Sequence, residues 1–153
     1  MGTTETTAAE FLRSKYKELE SAEFLSFKDI IDPKTWRTRH LKSEPKLRAF
    51  ESAGCYVLFK TIDKTVIYVG QAGSGHNIRN RFNDLFYGAH SLRDKLSLVE
   101  GDEDKAREFL SDKCLFKFVK TSTTSEAVAL EGFLILVLQP ELNKEVIADQ
   151  KQH

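Results

Sequence analysis

A small α/β domain built on a three-stranded sheet, two of whose strands form an antiparallel hairpin, is the fold this sequence predicts. Three observations carry that expectation. Two short apolar runs, G-C-Y-V-L-F-K at 54–60 and T-V-I-Y-V-G at 65–70, are joined by the tight turn T-I-D-K, which is the pattern of a hairpin. A third run, K-C-L-F-K-F-V-K at 113–120, alternates in character as a half-buried strand does. Residues 123–138 read as a helix: Thr123 and Glu126 have capping-box spacing, apolar residues follow, and Pro140 ends it.

The remaining elements follow in order. Residues 6–23 predict an amphipathic helix, with Ala8, Phe11, Leu12, Tyr16 and Leu19 recurring at helical spacing. Residues 32–42 read as a basic loop pinned to the body by the lone tryptophan, Trp36. Pro45 opens a short helix that Gly54 closes, proline at the start and glycine just past the end. After the hairpin, a glycine-rich turn leads into a helix over 77–86 with Ile78, Phe82, Leu85 and Phe86 on one stripe and Gly88 as its stop. Helical pieces follow at 91–99 and 103–111. The expected division is an N-terminal helical and basic extension over 1–50, the α/β domain over 51–145 and a C-terminal tail over 146–153.

Composition narrows the class. The chain has 153 residues, 41% hydrophobic and 30% charged, which suits one globular domain with a real core. The N-terminus M-G-T-T-E-T-T-A-A-E has no apolar signal region, and the longest apolar run, 133–138, is too short to span a bilayer. The expectation is therefore a cytoplasmic protein with no membrane partner. Cys55 and Cys114 lie far apart with no C-x-x-C, which fits a reducing compartment, argues against structural zinc and makes both core residues. Net charge is zero but segregated. Between residues 33 and 48, Lys34, Arg37, Arg39, Lys42, Lys46 and Arg48 face only Glu44, a local +5. Between residues 100 and 112, six acids against Lys105 and Arg107 leave −4. Such segregation can direct a polyanion to one face.

Four features point to chemistry. The run V-I-Y-V-G-Q-A-G-S-G-H-N-I-R-N-R-F at 66–82 joins a strand, a glycine loop and a helix N-terminus, an arrangement suited to anions. Its glycine order is not the dinucleotide fingerprint, and no G-K-[ST] follows, so P-loop nucleotide hydrolysis is unsupported. Glu131 falls among Ala127, Leu134, Ile135 and Leu138 on the helical wheel, so its carboxylate sits on an apolar face, where it needs an ion pair or a metal. Gly132 beside it predicts another backbone passing close by. Tyr56 and Tyr68 share one face of the hairpin if the register sum is even, for example with Leu58 opposite Tyr68. Arg79 and Arg81 lie at opposite edges of their helix's apolar stripe, and arginine's planar fork suits phosphate.

G-C-Y at 54–56, Y-V-G at 68–70, an arginine in the following helix, a helix-borne glutamate and P-E-L-N at 140–143 together resemble the GIY-YIG nuclease family, over residues 54–143. The resemblance implies a β-β-α-α-β-α core that hydrolyses DNA phosphodiesters with one divalent metal, Mg²⁺ or Mn²⁺. It further implies Tyr56 and Tyr68 as the paired tyrosines, Arg81 as the essential arginine, Glu131 as the metal ligand and Asn143 as the polar residue after the last helix. Arg81 matches better than Arg79 because it stands just before an aromatic. Many members carry a histidine or tyrosine one turn after the arginine; here that position is Leu85, and Tyr87 or His90 could take its place. The insertion G-S-G-H lengthens the link between strand and helix.

The expected function is a Mg²⁺-dependent DNA endonuclease, of restriction or repair type. Its DNA contacts would come from Arg79 and from Lys34, Arg37, Arg39, Lys42, Lys46 and Arg48, with a homodimer or a partner protein as a further means of choosing the target. Tyr56 is favoured as the base and Tyr68 as its partner. The alternative, fed by Leu85, is a catalytically weak nucleic-acid-binding or interaction module that keeps the fold. A third reading makes 1–50 a dimerisation arm.

Overall fold

The computed structural model describes residues 4–32, 34, 37–38, 50–87 and 90–143. Helix α1 (Thr4–Ser21) leads into strand β1 (Leu25–Ser26), a 3-10 turn over Phe27–Asp29, and the two-stranded hairpin of β2 (Ile31–Asp32) and β3 (Arg37–Thr38). Then come β4 (Ala53–Lys60), β5 (Val66–Ala72), α2 (Ile78–Phe86), α3 (Ser91–Glu100), α4 (Glu103–Asp112), β6 (Cys114–Thr121) and α5 (Thr124–Leu138). From β4 onward this is the β-β-α-α-β-α order with one further helix, α4, before β6.

The main sheet is antiparallel throughout and has four strands in the order β1-β6-β4-β5, not three. The added strand pairs Leu25 with Phe116 and Ser26 with Leu115. Two residues are too few to show a period, so sequence patterning could not reveal it. The segment read as a basic loop contributes β3, which pairs Ile31 with Thr38 and Asp32 with Arg37. The helix expected to end at Gly54 does not reach it, because Ala53 and Gly54 already belong to β4. Trp36, Arg39, Lys42, Pro45, Lys46, Arg48, Gly88 and the 146–153 tail lie outside the described residues.

The sheet separates two apolar layers. Strand β4 is buried on both faces, as a central strand must be. Tyr56 and Leu58 point into one layer with Phe116, Phe82, Phe86, Leu92 and Leu110, while Cys55, Val57 and Phe59 point into the other with Val69, Leu130 and Leu134. Helices α2, α3 and α4 thus cover one face, and α1 and α5 the other. The start of α5 is held by a full capping box: Thr123 Oγ1 accepts the Glu126 N–H at 3.1 Å, and Glu126 Oε1 accepts the Thr123 N–H at 3.2 Å. Gln139, at φ 47°, turns the chain out of the helix ahead of Pro140. Among the described residues, no helix is long and apolar enough to cross a membrane.

The N-terminal segment enters both layers. Phe27 is 0% exposed, stacks on Phe116 at 4.5 Å and meets the Phe82 and Phe86 rings edge-on at 5.2 and 5.0 Å. On the opposite face Lys117 is buried, and its ammonium donates to the Leu19 and Glu20 carbonyls at the end of α1, 4.4 Å from the Phe24 ring centroid. Carbonyls in the last turn of α1, of which Leu19 O also accepts the Ala22 N–H at 3.2 Å, are thereby met by a cation, which suits the negative end of the helix dipole. Phe27→Ala removes a fully packed ring, so chemical denaturation should show a loss of about 3–5 kcal/mol.

Candidate active site

Strand β4 and its two neighbours set the tyrosines. Leu58 stands opposite Tyr68 and Tyr56 opposite Gly70, so Tyr56 and Tyr68 project from the same face, their ring centroids 6.2 Å apart. Gly70 is required by contact: a Cβ there would lie 2.3 Å from Tyr56 Cζ and 2.4 Å from its Oη. Immediately beyond the pair, a bulge shifts the register so that Phe59 faces Val66. As a result Ile67 and Tyr68, although adjacent, both turn into the first layer.

Helix α2 brings the arginine. Its stripe of Ile78, Phe82, Leu85 and Phe86 is buried, and Phe82 packs edge-on against Tyr56 at 5.2 Å. This orientation places Arg81 Nη2 3.2 Å from His90 Nε2 and Nη1 3.6 Å from Asp84 Oδ2. Arg81 Nε is buried without a hydrogen-bond partner. Asp84 in turn holds His76, from the G-S-G-H insertion, at 2.6 Å. The loop itself is tied to α5, the Ser74 N–H donating to Thr124 Oγ1 at 2.9 Å.

The expected backbone cradle for an anion is already partly filled. The Ile78 N–H donates to Ser52 O at 3.1 Å and the Asn80 N–H to Asn77 Oδ1 at 3.0 Å. The group left to meet an oxyanion is therefore the Arg81 side chain rather than the helix N-terminus.

His90 completes the cluster. It is 3% exposed, its Nε2 stands 3.0 Å from Tyr56 Oη, and its Nδ1 accepts the Leu92 N–H at 3.1 Å as the N-cap of α3. Leu85, the position one turn after Arg81, is wholly buried in the core, and Tyr87 is 55% exposed at the end of α2. Of the two substitutes the sequence offered, His90 is the one against the tyrosine. Nothing local predicted that contact, because Tyr56 and His90 are 34 residues apart; the sequence signal was the absence of a histidine or tyrosine at Leu85, which left Tyr87 and His90 equally open. Asp84 and His76 carried no signal beyond residue type.

Glu131 feels the same cluster. Burial raises its pKa and the Arg81 charge opposes that rise. No hydrogen bond or ion pair to Glu131 forms among the described residues. The helix is held in place one turn earlier by Cys55, whose thiol donates to Ala127 O at 3.2 Å. The backbone expected beside Gly132 is not there: a Cβ at that position would meet nothing within 4 Å.

Burial pushes the Tyr56 phenol well above its ordinary range and raises the Tyr68 phenol; at Tyr56 the Tyr68 phenol adds to the rise, and at both the Arg81 charge pulls the other way. The His90 ring is held down to about 4, chiefly by burial and then by Arg81. Asn143 stands elsewhere, on the strand itself. Its Oδ1 accepts the Val69 N–H at 2.9 Å and its Nδ2 donates to Val69 O at 3.2 Å. Both ends of its amide thus hold the edge strand that carries Tyr68 and Gly70. Lys34 is exposed, and β3, which contains Arg37, packs beside α2.

No family model matches the chain. It is similar to UvrABC system protein C of Streptococcus uberis, 35% identical over 100 residues, 65% of this chain and 14% of that protein. The same protein of Ligilactobacillus salivarius is 32% identical over 106 residues, 69% of this chain and 15% of the relative. The chain therefore spans about one seventh of these relatives. Among solved structures, the magnesium-bound GIY-YIG N-terminal endonuclease domain of UvrC from Thermotoga maritima is 19% identical, with a TM-score of 0.43, covering 69% of this chain and 98% of that one.

The buried histidine makes a measurable contribution to pH dependence. Its folded pKa of about 4 lies below the ordinary 6.5, so between those values the unfolded chain binds the extra proton. Stability from this group is present above pH 6.5 and lost as pH falls toward 4, by roughly 3 kcal/mol. His90→Asn can still cap α3 but has no ring to titrate. Thermal or urea unfolding from pH 7 to 4 should therefore show the wild type losing that much more stability than the variant.

Proposed function

We propose that the chain carries a GIY-YIG domain, as its motifs and its likeness to UvrABC system protein C support, and that it hydrolyses DNA phosphodiesters as a divalent-metal-dependent endonuclease of repair type. The observation that carries this reading is Glu131: a half-buried carboxylate with no ion pair among the described residues, whose charge is felt by Tyr56 and Tyr68 and opposed by Arg81. Of restriction and repair, the likeness to UvrABC system protein C favours repair. No observation favours a catalytically weak binding module.

The residues fit a hard cation. Among the described residues, no group of three or more His, Cys, Asp or Glu could hold a metal, so Glu131 would be the single protein carboxylate, leaving most of the shell to water and phosphate. Mg²⁺ or Mn²⁺ suits that arrangement. When bound, such an ion stabilises charge on the phosphoryl and leaving oxygens. Arg81 supplies donors to the non-bridging oxygens, its unpaired Nε among them. Tyr56 orients the attacking water, Tyr68 supports it, and Asn143 acts through Val69 by holding the strand.

DNA would be held by Arg79 and by the Lys34, Arg37, Arg39, Lys42, Lys46 and Arg48 segment, with β3 beside α2 connecting the two regions. A cytoplasmic location, and a homodimer or partner protein that helps choose the target, complete the reading.

Purified protein should nick or cut plasmid DNA with Mg²⁺ or Mn²⁺ and stop with EDTA. Glu131→Gln and Arg81→Ala should lose cleavage while melting as folded proteins, with Glu131→Gln no less stable, since ionising a carboxylate there opposes burial. Arg79→Ala should be milder; an inactive Arg79→Ala beside an active Arg81→Ala would reassign the arginine. Failure of the wild type across varied DNA and metals would overturn the nuclease.

Neutralising three cations of the basic segment should weaken DNA binding and flatten the slope of log K against log salt by roughly 0.9 per lost duplex contact. An unchanged slope in a binding titration would move DNA recognition to other residues.

A further inference from the structure

We propose that His90 is a positioning residue locked in its Nε2–H tautomer, donating to Tyr56 Oη and leaving the phenol's own hydrogen turned away from the imidazole. The catalytic consequence rests on the nuclease reading; the tautomer does not.

The proton count forces the assignment. Nδ1 faces the Leu92 N–H at 3.1 Å, and a backbone N–H can only donate, so Nδ1 must present a lone pair. A neutral ring then carries its one proton on Nε2. A doubly protonated ring would set an N–H against the Leu92 N–H and a second positive charge beside Arg81, in a place 3% exposed to water. Among the described residues, Nε2–H has one acceptor within reach, Tyr56 Oη at 3.0 Å. Since the phenol oxygen receives that bond, His90 cannot be the group that takes the phenol's proton.

Two consequences follow. The backbone of α3 sets the polarity of the bond, because the cap on Nδ1 decides what Nε2 can do 34 residues away from Tyr56 in sequence. In addition, Arg81 Nη2 at 3.2 Å from Nε2 becomes a donor facing a donor. With Nε also buried and unpartnered, the guanidinium is left with donors that an oxyanion would satisfy better than the protein does.

Nitrogen-15 histidine spectra of the full chain at neutral pH test the tautomer directly, whether or not the protein cuts DNA. The expected His90 signature is a bare Nδ1 and a protonated Nε2. A protonated Nδ1 would overturn the proposal. The functional arm uses His90→Asn, which keeps an acceptor for the Leu92 N–H and loses the donor to Tyr56. It should melt as a folded protein and cleave about tenfold or more slowly, with no further loss in a Tyr56→Phe background. Wild-type cleavage by His90→Asn, or an equal extra loss in the Tyr56→Phe background, would overturn the positioning role. A wild type that cuts nothing would instead remove the nuclease reading and leave the spectra to decide the tautomer.

Discussion

The pairing of β4 with β5, in the register that sets Leu58 against Tyr68 and Tyr56 against Gly70, is the constraint on which the rest of the site depends. A slip of one residue would carry Tyr68 into the layer occupied by Val69, Leu130 and Leu134 and separate it from Tyr56. The register is held from several sides. Gly70 leaves room for the Tyr56 ring, the bulge just before Tyr68 turns Ile67 into the same layer, and Asn143 occupies both backbone groups of Val69 on the edge strand. An amide on the helical turn at 141–143 thereby serves as a one-residue substitute for a neighbouring strand.

Polar groups are buried here at a cost, and the cost falls unevenly. Lys117 is fully compensated by two carbonyls and an aromatic ring, and Cys55 by a carbonyl. Among the described residues Glu131 has no such partner, and Arg81 keeps a buried Nε without one. Among the described residues, Gln71 Oε1 and Arg93 Nε are also buried without a hydrogen-bond partner, against the usual demand of an interior. What distinguishes Glu131 and Arg81 is that the two charges feel one another across different elements, a carboxylate suited to a cation beside a guanidinium suited to an oxyanion.

The N-terminal segment is packed against this same frame. β1 extends the sheet beside β6, Phe27 fills the layer beneath α2, and the end of α1 is held by Lys117. Position of the Arg81 helix thus depends on Phe82 and Phe86, and these depend in part on a ring contributed from before the hairpin.

What the sequence determined by itself were the features set by local physics. Turn chemistry and apolar runs located the three long strands, the capping box started α5, and the helical wheel put Glu131 on an apolar face. The even hairpin register, which decides that Tyr56 and Tyr68 share a face, was legible as one of two parities. Tertiary structure alone decided the rest. The two-residue β1 has no period to read, because its reason for being a strand is the open edge of β6. His90 reaches Tyr56, and Asn143 reaches Val69, only after 34 and 74 intervening positions have been folded away. Leu85 belongs to the core rather than the site because α2 is rotated by its phenylalanines. Contacts of that kind depend on how packed layers orient whole elements, and no spacing along the chain encodes it.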